Sequence, residues 1–381
     1  MKESSKTAMS RRTFAKVAGA TAAVTAMGAV AAGCSSPAEE KKPEGGGQTD
    51  QAASSDKTPC TIGYWGGSPC ELPVYVAIEN GYFEEVGLEP NIVLITSDVS
   101  ILLANDEIDF FESTPGDFPA IYQGMPLKHL DTIHVGCWSG VTNNPDIKSC
   151  KDLAGRRVGT TMMNGPAYTE CISLCAREGG DPSTIEWVKY SGSTIADALK
   201  NGEIDAACGS DATTYPIRWN DQENIHFFYT SCEDLGEYYC CFIGCNANNL
   251  EKHPEMGDKL TKAMAMANDY INEDPQRAID MAMEKGYANN EYPEIQRGLT
   301  VNYLWGHGNE EDMRASSKER WRELYDAGVL TEAPKDESEV DAYLDSLVDM
   351  VVDFRGDVAK ETADTKGAKV RLAELGEIYT I

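Results

Sequence analysis

Apolar positions recur along the chain with two periods, and the change from one to the other divides it. Cys60 to Trp65 (CTIGYW) is a short run of β type that ends in the small, flexible Gly-Gly-Ser-Pro at 66–69. Glu71 to Asn80 then carries Leu72 and Val76 at helical spacing and stops at Gly81, a helix C-cap signal. Gly87 turns the chain into a second strand, Asn91 to Ile95, which makes β-loop-α-turn-β in about 35 residues, the length of one βαβ unit. Further on, a turn, a strand at Arg157 to Thr160, a Gly-Pro loop and a helix ending near Gly179-Gly180 follow one another. After Asn248 the pattern changes to long amphipathic helices with no strands: Met256 to Glu273, Pro275 to Lys285, Glu310 to Ala327 and Val340 to Phe354. Gly356 to Ile381 is a charged tail to which the pattern assigns no role.

One segment is echoed. Ser97 to Asp109 reads SDVSILLANDEID and Ser193 to Asp205 reads STIADALKNGEID, with Ser, Leu, Asn and the run Glu-Ile-Asp matched at a constant offset. Each copy is a short capped helix, a turn and a small apolar strand. Two similar α/β lobes are the simplest reading.

The N-terminus has a different character. Ser10 to Lys16 reads SRRTFAK, the paired-arginine pattern of a twin-arginine export signal, and Val17 to Gly33 is uncharged and rich in Ala, Gly and Val. It ends AAGC at Ala31 to Cys34, the form of a bacterial lipoprotein cleavage site with lipid on Cys34. The apolar stretch falls short of the ~20 residues that a membrane span needs. Residues 1–33 are therefore expected to be an export signal. Residues 34–58, polar and rich in Gly, Ser, Glu and Lys, form a flexible tether. The expected location is the extracytoplasmic face of a membrane.

Charge narrows the possible partners. The chain has 33 Lys+Arg against 62 Asp+Glu. Removing residues 1–33 takes five basic groups and one acidic group, leaving 28 against 61 and a net charge of about −33. Such a surface repels phosphate backbones, so no nucleic-acid partner is expected. Besides Cys34 there are Cys60, Cys70, Cys137, Cys150, Cys171, Cys175, Cys208, Cys232, Cys240, Cys241 and Cys245, an odd set left open between buried free thiols and a few disulfides. Their spacings give neither paired CxxC motifs nor CxxCH. His129, His134, His226, His253 and His307 are scattered and read as structural, so no metal ligand and no cofactor is assigned. GxSxG, HExxH and P-loop motifs are lacking.

The runs AIENGYFEEVGLEPNIVLI, NDEIDFFEST, QGMPLKHL, IKSCKDLAGRRVG and NGEIDAA occur in the order seen in substrate-binding proteins of nitrate/taurine/sulfonate importers. The chain resembles that group over Thr61 to Phe354. The group includes pyrimidine-precursor binders similar to yeast thiamine-pathway synthases. The resemblance implies an α/β, two-lobed periplasmic-binding-protein type II fold with a helical C-terminal part and two crossing hinge strands, near Asp131 to Trp138 and Tyr238 to Gly244. Lobe I would comprise 59–138 and 243–355, lobe II 139–242, with 356–381 as the tail. It further implies a monomer that catalyses nothing, captures a small molecule between the lobes, and delivers it to a permease and ATPase. Two alternatives stay open: an extracellular sensor or interaction lipoprotein on the same fold, or an iron- and cysteine-dependent synthase, since Cys240 to Cys245 (CCFIGC) loosely resembles the cysteine-rich run of those enzymes.

In such folds ligands meet the loops at strand carboxyl ends. The residues expected to line the cleft are Trp65, Gly66, Ser68 and Glu71; Ser113, Thr114 and Asp117; Trp138; Asn164 and Tyr168; and Ser210, Asp211 and Tyr215. The four loops concerned, Trp65–Pro73, Glu112–Pro119, Thr161–Thr169 and Gly209–Pro216, contain no Lys or Arg. They carry Glu71, Glu112, Asp117 and Asp211 with the aromatic Trp65, Phe118, Tyr168 and Tyr215. This leans away from nitrate or a simple sulfonate and towards a neutral or amine-bearing organic molecule that stacks on a ring.

Overall fold

The computed structural model describes residues 57–231, 239–306 and 308–357. The signal, Cys34, the tether to residue 56, Cys232, His307 and the tail from 358 lie outside them. In chain order the strands are β1 (Thr58–Tyr64), β2 (Leu88–Leu94), β3 (Phe110–Ser113), β4 (Leu127–Val135), β5 (Trp138–Thr142), β6 (Arg157–Thr160), β7 (Glu186–Lys189), β8 (Ala206–Ser210), β9 (His226–Thr230), β10 (Tyr239–Asn246) and β11 (Leu304–Trp305). They form a six-stranded sheet, β11-β4-β10-β3-β1-β2, and a five-stranded sheet, β7-β6-β8-β5-β9. This is the two-sheet α/β architecture that the sequence implied. The chain leaves the first sheet after Val135, enters the second at Trp138 and is back in the first by Tyr239.

The echo is structural. Asp109 accepts from the Thr61 N–H at 2.7 Å and donates its own N–H to the Thr61 carbonyl at 2.9 Å. Asp205 does the same with Arg157, at 2.8 and 2.7 Å. Gly63 lies beneath Ile108, and Gly159 beneath Ile204. In both copies the aspartate locks the strand that follows the helix beside the first strand of its βαβ unit. Parallel pairing of β1 with β2 and β3, and of β6 with β7 and β8, completes the match.

The C-terminal half is helical, with helices at Glu255–Glu273, Pro275–Glu284, Pro293–Asn302, Glu310–Asp326 and Glu337–Val351. The expectation of no strand after Asn248 fails at β11, whose two residues pair antiparallel with Val135 and His134 of β4. A two-residue strand carries no periodic signal. The helices cover both faces of the first sheet: Leu260, Met264 and Ile271 pack with β1 and β10, while Trp321, Leu324, Leu344 and Val348 pack with Phe111 and Phe242. None of the helices among the described residues is long and apolar enough to cross a membrane.

Candidate functional site

Four loops leave the carboxyl ends of β1, β3, β6 and β8, where helix N-termini begin. After β1, the Glu71 carboxylate accepts from the N–H groups of Trp65 at 2.7 Å and Gly66 at 2.8 Å, and from the Tyr75 hydroxyl at 2.6 Å. Burial pushes this carboxyl up to about 7, against the pull of those donors. Gly66 has φ +79°, a conformation open to glycine, and Ser68 caps the next turn by accepting from the Cys70 N–H. The Trp65 indole is partly exposed and donates to the Glu112 carbonyl at 3.4 Å. Glu112 itself is buried, and its Oε1 has no hydrogen-bond partner. Burial, reinforced by the nearby Glu71 charge, holds the Glu112 carboxyl well above the usual carboxylate range.

After β3, Thr114 and Asp117 form a capping box, and Asp117 also accepts from the Ser113 hydroxyl at 3.0 Å. Ser113 meets His129 Nε2 at 2.9 Å. Burial pushes Asp117 up to about 6 and His129 down to about 3, so the imidazole is neutral. Phe118 faces the core against Trp321, with ring centroids 4.7 Å apart. After β6, Asn164 sits at φ +61°, and Tyr168 packs on Trp187 at 4.6 Å. After β8, Ser210 lies at a helix start with its hydroxyl 3.3 Å from that of Thr213, and Tyr215 packs on Phe227 at 4.6 Å. Asp211 accepts from the Ser139 hydroxyl at 2.6 Å and the Tyr303 hydroxyl at 3.3 Å, and burial pushes it up to about 7. Trp138 begins β5 with its N–H on the Ser231 hydroxyl, while its buried indole N–H has no partner.

The structure thus joins Trp65, Glu71 and Glu112 at the ends of β1 and β3, ties Asp211 to Ser139 and Tyr303, and sets Trp138 where the chain passes from the first sheet to the second. It spends Ser68, Thr114 and Asp117 on helix caps, and it packs Tyr168 and Tyr215 on rings of the second sheet. Two contributors came from outside the loops. Tyr303 precedes β11 and reaches both Asp211 and the Cys70 sulfur, 3.9 Å away. Arg320, fully buried, donates from Nε to the Pro115 carbonyl at 3.0 Å and from Nη2 to the Asn164 carbonyl at 3.3 Å, tying the loop after β3 to the loop after β6. The absence of cations from the loops themselves had hidden it.

Beneath this passage lie thiols. The ten cysteines among the described residues are all free and buried. Cys70, His134, Cys137 and Cys241 place one donor atom each within 4.8 Å of one another. Reading His134 as merely structural, and assigning no metal ligand, missed this convergence.

Two α/β sheets joined by crossing strands, with capped loops at strand carboxyl ends, define the fold of two-lobed periplasmic binding proteins. Among solved structures, the nitrate-binding protein NrtA from Synechocystis PCC 6803 aligns with a TM-score of 0.61 at 13% identity, covering 85% of this chain and 99% of that one. The NMT1/THI5-like family model matches residues 68–278, and the chain belongs to that family. It is 26% identical over 256 residues to the 4-amino-5-hydroxymethyl-2-methylpyrimidine phosphate synthase THI5 of Saccharomyces cerevisiae, covering 61% of this chain and 73% of that protein. It is 24% identical to the formylaminopyrimidine-binding protein of Halalkalibacterium halodurans, over 55% of this chain and 65% of that one. The expectation that this chain is no enzyme is corrected by these matches, because several of the relatives found are named as synthases.

Proposed function

We propose that the protein captures a small organic molecule between its two lobes and delivers it to a membrane permease driven by an ATPase. The lobes are taken as 59–138 with 243–355, and 139–242, on an extracytoplasmic chain held to the membrane through lipid on Cys34. The ligand would meet Trp65, Gly66, Glu71, Trp138 and Asp211, with Ser68, Ser113, Thr114, Asp117, Asn164, Tyr168, Ser210 and Tyr215 shaping the loops around it. The observation that carries this reading is Glu112: a buried carboxyl with an unpartnered oxygen, on a residue whose main-chain carbonyl accepts from the partly exposed Trp65 indole. Burial favours the protonated form of such a carboxyl, which can donate as well as accept, and this suits a neutral or amine-bearing ring of the pyrimidine kind better than nitrate or sulfonate. Ligand contacts available only when the lobes are shut stabilise that form selectively.

A thermal-shift panel of pyrimidines, amines, nitrate, taurine and alkanesulfonates tests it. A ligand at a hundred times its dissociation constant adds about 2.7 kcal/mol. Trp65→Ala should abolish the shift given by the active compound while leaving the unliganded melting temperature unchanged. Normal affinity in that variant would move the site elsewhere. A second reading, chemistry on a pyrimidine-type molecule, is favoured by the buried thiol–imidazole group beside the passage. Turnover of the bound compound, followed by mass spectrometry, separates the two.

A further inference from the structure

We infer that Cys70, His134, Cys137 and Cys241 form a binding site for a thiolate-preferring cation of the zinc class at the pivot between the lobes. The four come from separate places. Cys70 lies in the short helix Pro69–Glu71 after β1, His134 near the end of β4, Cys137 in the two-residue crossing to β5, and Cys241 in β10. All four are buried. Three sulfurs and one imidazole nitrogen are a donor set for tetrahedral zinc. With Zn–S near 2.3 Å, sulfurs on a tetrahedral edge are about 3.8 Å apart. Cys137 and Cys241 stand at 3.9 Å.

Two backbone irregularities aim the donors. Cys137 has φ +116°, a conformation that side-chain-bearing residues rarely adopt. β10 changes register against β4 between Tyr239 and Cys241 and again before Phe242. That bulge brings the sulfurs of adjacent Cys240 and Cys241 within 3.5 Å, where a regular strand would send them to opposite faces.

The surroundings fix the plane of the imidazole. His134 stacks on Tyr303 at 4.6 Å and is flanked by Trp305 at 5.0 Å, and its Nδ1 lies 3.3 Å from the Val135 carbonyl. An Nδ1–H donated to that carbonyl leaves the Nε2 lone pair for a metal. Cys240, 2.9 Å from Cys137, stands beside the four as a competing thiol partner. A cation here would bind the first cleft loop to both passages between the sheets.

The full chain, reduced and stripped of metal under anaerobic conditions, is titrated with Zn²⁺ against a chromophoric chelator and, separately, with Co²⁺. One Zn²⁺ per chain is expected, and Co²⁺ should give the intense visible bands of tetrahedral thiolate coordination. Cys70→Ser and Cys241→Ser should each weaken Zn²⁺ at least about tenfold, while Cys60→Ser, in β1 outside the group, leaves affinity unchanged. Should a serine variant fail to fold by circular dichroism, X-ray absorption on the wild-type zinc form decides alone: three sulfurs and one nitrogen support the site. A first shell of oxygens, a pale octahedral Co²⁺ spectrum, wild-type affinity in both serine variants, or a Cys137–Cys240 disulfide in anaerobically isolated protein would overturn it.

Discussion

Replacing Arg320 with Met should be among the most damaging single changes in the protein. Its side chain is 1% exposed and makes a 3.0 Å ion pair with Glu323, which is 0% exposed. It also donates to the carbonyls of Pro115 and Asn164 and to the Thr169 hydroxyl. Removing the cation takes from the buried Glu323 carboxyl its 3.0 Å partner and takes a donor from two loops. Breaking one side of a buried pair costs about 3–5 kcal/mol when the group left behind is charged, so the full loss is expected above the pH at which the Glu323 carboxyl gives up its proton. Equilibrium urea unfolding, followed by both Trp fluorescence and far-UV circular dichroism, measures this; coincidence of the two probes licenses a two-state free energy. The double variant Arg320→Met/Glu323→Leu should recover most of the loss, since apolar side chains of similar volume often replace a buried pair without penalty. Arg320→Lys should recover little, because the fork that reaches both loops is gone. A loss below about 1 kcal/mol in Arg320→Met, or a double variant no better than the single, would refute the reasoning.

Glu323 also sets a pH dependence. Burial, only partly offset by Arg320, pushes its carboxyl up from 4.5 to about 7 in the folded state. The folded chain thus holds this proton more tightly, and the stabilisation present below about pH 4.5 should be lost as pH rises through 7. Glu323→Gln should flatten that part of the profile, and an unchanged slope in urea titrations would reject the assignment. In β5, a Cβ on Gly140 would lie 2.4 Å from Cζ of the Phe228 ring. Gly140→Ala should cost about 1–3 kcal/mol by overpacking, with partial rescue by Phe228→Leu; a wild-type melting curve for the single variant would show that the ring can yield.

The fold was largely legible because its signals are local. Helical spacing at Leu72 and Val76, and the repeated Asn-x-Glu-Ile-Asp, are read within a dozen residues, and the aspartate that ends each copy makes the same pair of strand contacts. The site was legible only in outline. Small and acidic residues marked the loops, yet a sequence does not distinguish Asp117, which closes a capping box, from Glu112, whose oxygen is left over. The thiol group was hidden for a topological reason. Its members are scattered from Cys70 to Cys241, with no CxxC spacing, and meet because β10 lies between β3 and β4 and is bulged where Cys240 and Cys241 sit. Arg320 and Tyr303 were hidden likewise, arriving from a helical region that periodicity reads as packing alone.

The insertion of β10 also bears on how a chain made from its N-terminus assembles. All five strands of the second sheet lie between Trp138 and Thr230, so that sheet can close as soon as this stretch has left the ribosome. The first sheet cannot: β3 and β4 both pair with β10, and until Asn246 has emerged each presents an open edge. The second half of the molecule to begin is thus the first able to finish. During that interval Cys70, His134 and Cys137 have all been synthesised, and they wait for Cys241 to be threaded between the two strands.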